Sequence, residues 1–123
     1  MDLITSDDSI GRDAAQLFNY LMAYTEEQQW KALSVAPFNL RENLYKLFDN
    51  EIKQAKEGRK AHIVMKMNSL IDKDMIDKMY EASNAGVRID LIVRGICGLK
   101  AGCKGFSSNI KVRSIIGRLL EHS

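Results

Sequence analysis

Ala61-His62-Ile63-Val64-Met65-Lys66-Met67-Asn68-Ser69-Leu70, followed after one helix's length by Val87-Arg88-Ile89-Asp90-Leu91-Ile92-Val93-Arg94-Gly95-Ile96, is the stretch that decides the fold. In the first run Ile63, Met65 and Met67 alternate with His62, Val64, Lys66 and Asn68, the period of a strand with one apolar face. The second run is densely apolar at Leu91-Ile92-Val93. Between them Asp72 offers a cap, Met75, Ile76, Met79 and Tyr80 recur at helical spacing, and Gly86 closes the pattern. Strand, helix and strand over about 35 residues read as a βαβ unit with a right-handed crossover and hence a parallel pair. The fold class is therefore α/β.

Ligands in α/β sheets sit at the carboxyl ends of the strands. That rule singles out Lys66 and Asn68 on the first strand and Arg94 on the second, adjacent if the strands are neighbours. His62 falls at the opposite end and is expected to be structural or exposed.

Working outward, Gly58-Arg59-Lys60 turns the chain out of the most secure helix of the sequence. Its stripe is Leu40, Leu44, Leu47, Phe48, Ile52 and Ala55, and Asn39 with Glu42 has the spacing of a capping box. Pro37 ends a short extended run, 31–36. An earlier helix from about Gly11 to Tyr24 places Ala14, Leu17, Phe18 and Leu21 on one face, with Asp8 and Ser9 as candidate caps. Tyr20, Tyr24 and Trp30 are expected to pack rather than to stack on bases.

On the other side, 95–108 holds Gly95, Gly98, Gly102 and Gly105 with Lys100 and Lys104 between them. Such a loop can bring amides close to a phosphate, but it lacks both the P-loop and the dinucleotide-binding patterns. A last strand, about Lys111 to Ile116, leads through Gly117-Arg118 to His122.

With 46% hydrophobic and 28% charged residues and one proline, the 123-residue chain is neither disordered nor fibrous. It has one domain's worth of length. No apolar stretch approaches the ~20 residues of a membrane span, and the acidic start lacks a basic leader, so the expected location is cytoplasmic. Cys97 and Cys103 are too few for a zinc site and are expected to be free thiols. The net charge of +2 is balanced, yet from Gly86 onward Arg88, Arg94, Lys100, Lys104, Lys111, Arg113 and Arg118 face only Asp90 and Glu121. Polyanions are drawn to that third of the chain. On charge alone a non-catalytic polyanion-binding or nucleic-acid-binding α/β module competes with an enzyme. Most aromatics precede residue 49, away from the basic third where base stacking would be needed.

Five blocks occur in order: Phe18-Asn19-Tyr20-Leu21, Ala36-Pro37-Phe38-Asn39-Leu40-Arg41, Lys66-Met67-Asn68-Ser69-Leu70, Ile92-Val93-Arg94-Gly95-Ile96-Cys97 and Ser107-Ser108-Asn109-Ile110. Together with Leu120-Glu121-His122-Ser123 they resemble the carboxyl-terminal catalytic region of type 1 polyphosphate kinase. The resemblance implies a phospholipase D-like mixed sheet flanked by helices, with residues 1–123 forming most of the second of two such domains and the sheet incomplete at the C-terminus. It implies an ATP:polyphosphate phosphotransferase acting reversibly through a phosphohistidine on the preceding domain. Arg94 then matches the arginine that contacts nucleotide phosphates and His122 the second active-site histidine, with Lys66 and Asn68 adding charge and a hydrogen bond. The implied cofactor is Mg2+ in the full-length enzyme, although no carboxylate cluster looks like its dedicated ligand. The implied partners are ATP or ADP, inorganic polyphosphate and the rest of the kinase chain, in a homo-oligomer without nucleic acid, cytoplasmic or peripheral to the membrane. The isolated chain is expected to be inactive, because the phosphoaccepting histidine lies elsewhere.

Overall fold

The structure is a computed structural model that describes residues 3–23 and 29–117. By packing, the chain divides into two compact units, residues up to Leu44 and residues from Tyr45 onward.

In the first unit, helix α1 spans Asp8–Ala23. It begins earlier than its apolar spacing suggests because Asp7, not Asp8 or Ser9, caps it. The Asp7 carboxylate accepts from the backbone N–H groups of Ser9 at 2.8 Å and Ile10 at 3.2 Å. Asp13 is buried, and one of its oxygens accepts three successive backbone N–H groups, from Lys31, Ala32 and Leu33, at 2.7–2.9 Å. Those amides go to a carboxylate, so the expected extended run of 31–36 joins no sheet. Tyr20 meets the Phe38 ring edge-on at 5.0 Å, and Trp30 lies 6.2 Å from the same ring, which is packing rather than a base platform. Tyr24 lies outside the described residues.

Helix α2, Leu40–Lys56, starts where expected. Asn39 stands at its cap, but the Asn39 side chain reaches back, accepting from the Val35 N–H at 2.7 Å and donating to the Leu33 carbonyl at 3.3 Å. It fastens the turn that precedes the helix.

In the second unit, Phe48 and Ile52 of α2 enter the core. Strand β1 is His62–Met67, helix α3 is Lys73–Asn84, β2 is Arg88–Val93 and β3 is Ile110–Arg113. The sheet order is β1-β2-β3 with both pairings parallel. Asp72 caps α3 as its sequence predicts, accepting from Met75 N–H at 2.9 Å. At the other end the chain leaves through Gly86 at φ +100°, a conformation only glycine adopts cheaply. The core is Phe48, Ile52, Ile76, Met79 and Ala82 from the helices against Ile89, Leu91, Val93 and Ile110 from the strands. Lys78 of α3 pairs with Asp49 of α2, so the two helices are neighbours on one face of the sheet. The α/β class holds, and the strand alternation holds residue by residue, with Ile63, Met65 and Met67 turned inward and His62, Val64 and Lys66 outward.

The long connection 95–109 returns over α3 and is well tied. Lys100 N–H donates to the Tyr80 hydroxyl at 2.9 Å, Gly102 N–H to the Ser107 carbonyl at 3.0 Å, and Cys103 N–H to the buried Ser107 hydroxyl at 3.1 Å. These amides satisfy the fold itself. The phosphate-cradling reading of the glycine-rich loop therefore gives way to a structural one. Both cysteines are free thiols, as expected.

Candidate functional site

Parallel register puts Val64 beside Asp90 and Lys111, and Lys66 beside Ile92 and Arg113. All of these stand on the face opposite the helices, where Val64, Asp90, Ile92, Lys111, Arg113 and Ile115 border a shallow cavity of about 320 Å3.

The amino end of this face neutralises itself. The Asp90 carboxylate takes both His62 Nε2 and Arg88 Nε at 2.8 Å. The bond from His62, and then that from Arg88, holds the Asp90 carboxyl below the usual range. His62 is exposed and engaged there, at the end opposite the candidate site.

The carboxyl end lies past Met67 and Val93. Beyond the regular strands the ladder continues, with Arg94 N–H donating to the Met67 carbonyl at 3.1 Å, Gly95 N–H to Asn68 at 2.7 Å and Leu70 N–H to Ile96 at 2.8 Å. Lys66, Asn68 and Arg94 are thereby brought to one end of two adjacent strands. Gly95 makes this possible: a Cβ there would lie 2.9 Å from the Asn68 carbonyl oxygen and 3.2 Å from Ser69 Oγ. Asn68 Oδ1 is buried with no hydrogen-bond partner. A buried unpaired amide oxygen is costly, and such groups mark places where a further donor is accommodated. His122, the remaining sequence-predicted site residue, lies outside the described residues.

Two contributors escaped the sequence reading. Arg113 was counted only as part of a basic surplus, yet register sets it across Ile92 from Lys66. Its place in the alternation Ile110, Lys111, Val112, Arg113 was the available signal. Gly95 looked like one loop glycine among four, and only the close approach of two backbones separates it from the rest.

The donors described here do not suit a magnesium ion. Lys66 and Arg94 are cations, Asn68 offers one amide oxygen, and among the described residues no group of three or more His, Cys, Asp or Glu side chains is placed to hold a metal. The arrangement suits anionic oxygens: a bidentate guanidinium, a point charge and the N–H donors of the Asn68 amide at a sheet's carboxyl edge. No helix among the described residues is long and apolar enough to cross a membrane.

Residues 33–123 match the family model described as polyphosphate kinase C-terminal domain 2. The chain belongs to that family. The polyphosphate kinase of Erythrobacter litoralis is 53% identical over all 123 residues, and that of Halalkalibacterium halodurans 52%. The chain spans 17% of the length of each of these curated relatives. Among solved structures, the polyphosphate kinase of Porphyromonas gingivalis superposes with a TM-score of 0.85 at 40% identity, over 96% of this chain and 19% of that one. The α/β fold of the polyphosphate kinase domain is thus shared in three dimensions as well as in sequence.

Proposed function

We propose that this chain supplies one wall of the phosphoryl-transfer site of a polyphosphate kinase, an enzyme that reversibly moves the terminal phosphate of ATP onto a growing polyphosphate chain. The transfer runs through a phosphohistidine on the preceding domain: a histidine nitrogen takes the phosphoryl group as the bond to ADP breaks, and the terminal oxygen of polyphosphate then takes it from the histidine. What supports the reading is the convergence of Arg94, Lys66 and Asn68 at the carboxyl end of two zipped parallel strands, in a family named for this kinase.

Phosphoryl transfer asks the protein mainly for position and charge. Arg94 offers two parallel N–H donors to phosphate oxygens, Lys66 a compact charge and Asn68 an amide. His122 matches the second active-site histidine of the family, and an imidazole with an ordinary pKa of ~6.5 can exchange a proton with the leaving oxygen near neutrality. Mg2+, when bound, neutralises the phosphates of the nucleotide, and none of the residues above is assigned to hold it. ATP or ADP and polyphosphate are the partners, in a cytoplasmic homo-oligomer of the complete chain.

The test is made in the full-length kinase. Arg94→Ala and His122→Ala should each lower ATP-dependent polyphosphate synthesis by about 100-fold or more. Near-normal rates in both variants would remove the assignment. The 123-residue chain alone should make no polyphosphate.

A further inference from the structure

The two strand ends that carry the candidate site do not match in length. Met67 pairs with Val93, and pairing resumes where Leu70 bridges Cys97. Between those two points β1 contributes Asn68 and Ser69, whereas β2 contributes Arg94, Gly95 and Ile96. One extra residue against a paired neighbour is a β-bulge, a rare feature between parallel strands. The hydrogen bonds agree. In an even parallel ladder only alternate N–H groups of a strand face a given neighbour. Here the successive N–H groups of Arg94 and Gly95 both donate to β1, to the Met67 carbonyl at 3.1 Å and the Asn68 carbonyl at 2.7 Å. Both peptide planes that flank the Arg94 Cα are thereby tied to the adjoining strand.

Pairing does not simply run out at this point. Past the bulge Leu70 N–H donates to the Ile96 carbonyl and Gly98 N–H to the Leu70 carbonyl, both at 2.8 Å, and Leu70 and Leu99 are buried. A ladder that only had to end could end at Met67 and Val93. Instead it is secured on both sides of a local excess, and the excess begins at Arg94. The extra length is not there to bury a side chain either, since Ile96 is 70% exposed. A bulge bends its strand, raises the local twist and turns a side chain out of the row that alternation sets. Even alternation would leave Arg94 in line with Asp90 and Ile92 on the open face. The two hydrogen bonds, with the close Gly95 contact, fix the backbone from which the guanidinium reaches before any phosphate arrives.

We propose that this one-residue bulge aims Arg94 at the phosphates, and that Ile96 is a positioning residue of the site. Ile96 acts through the length its main chain adds to β2, and its side chain takes no part. The proposal rests on the assignment of Arg94 to phosphate binding.

The KM for ATP of the full-length kinase tests it. Deleting Ile96, or inserting one alanine between Asn68 and Ser69, equalises the two strand ends, and each change should raise that KM roughly tenfold or more. Refilling the position with a different side chain, as Ile96→Ala, should rescue the deletion. In an Arg94→Ala background the deletion should add nothing to the loss already present, because Ile96 acts through Arg94. A normal KM in both equalised variants, additive losses in the double variant, or an Ile96→Ala enzyme as impaired as the deletion would each overturn the proposal. Loss of the native far-UV circular dichroism in both equalised variants would give the bulge to the fold and overturn it too. A normal KM in Arg94→Ala alone would remove the phosphate assignment, and the proposal with it.

Discussion

Gly95 donates its N–H to the Asn68 carbonyl at 2.7 Å, and the space a side chain would need is already taken by that same oxygen, 2.9 Å from where a Cβ would lie. The neighbour is backbone in a paired strand end, which cannot swing aside. Gly95→Ala should therefore cost about 1–3 kcal/mol, the usual range for overpacking, read from urea unfolding. Because Arg94 is the adjacent residue, the same variant in the full-length kinase should raise the KM for ATP.

Gly102→Ala is the matched control. Gly102 has φ +72° and nothing within 4 Å of a built Cβ. Its cost comes from the left-handed backbone alone, about 1–2 kcal/mol, and ATP kinetics should be unchanged.

Arg94→Lys keeps the charge and removes the planar fork. At a site that grips phosphate through two parallel donors this is not a conservative change. The full-length variant should lose roughly tenfold or more in kcat/KM for ATP, whereas Lys66→Arg, which keeps a charge at a point-charge position, should lose less. Equal losses in the two would show that Arg94 acts only as a charge.

Asp13 makes the first unit pH-sensitive. Its three backbone bonds, those from Leu33 and Ala32 foremost, hold its carboxyl below the ordinary value. A carboxyl lowered in the folded state stabilises fully above its unfolded pKa of about 3.9 and loses that contribution as pH falls through the lower folded value. Trp30, the single tryptophan, adjoins the bonded segment. Its fluorescence should report loosening of residues 30–33 as pH drops below about 4, and Asp13→Asn should remove that step while already loosening the segment at neutral pH.

Met79 is fully buried between α3 and the sheet. Met79→Ala should destabilise the second unit by about 2–5 kcal/mol through lost burial and a residual cavity, measured by denaturant unfolding. Leu47→Ala, whose side chain is 64% exposed on the same stripe that the α2 sequence presents, should change stability by no more than about 0.5 kcal/mol.

The βαβ core was legible in the residues because its signals are local. Alternation in 62–67, the dense apolar run within 88–93, the Asp72 cap and the Gly86 exit each depend on a few neighbours in sequence, and each appears where the pattern puts it. Elements whose bonding partners lie far away were not legible. The extended run at 31–36 forms no strand because Asp13, nearly twenty residues earlier, takes its amides. Phe18 and Leu21 share an apolar spacing with Ala14 and Leu17, yet spacing cannot tell which sector of α1 its own unit covers.

The same division runs through the candidate site. Sequence by itself determined that Lys66, Asn68 and Arg94 stand at strand carboxyl ends, since that follows from strand direction within a βαβ unit, and its ordered motifs determined the family. Only tertiary structure decided that Gly95 must lack a side chain, that Arg113 stands across Ile92 from Lys66, and that His62 is spent on Asp90. The reason is physical: periodicity encodes which face a residue occupies, but the distance between two backbones, and which charges neutralise each other across strands, exist only once the strands are paired.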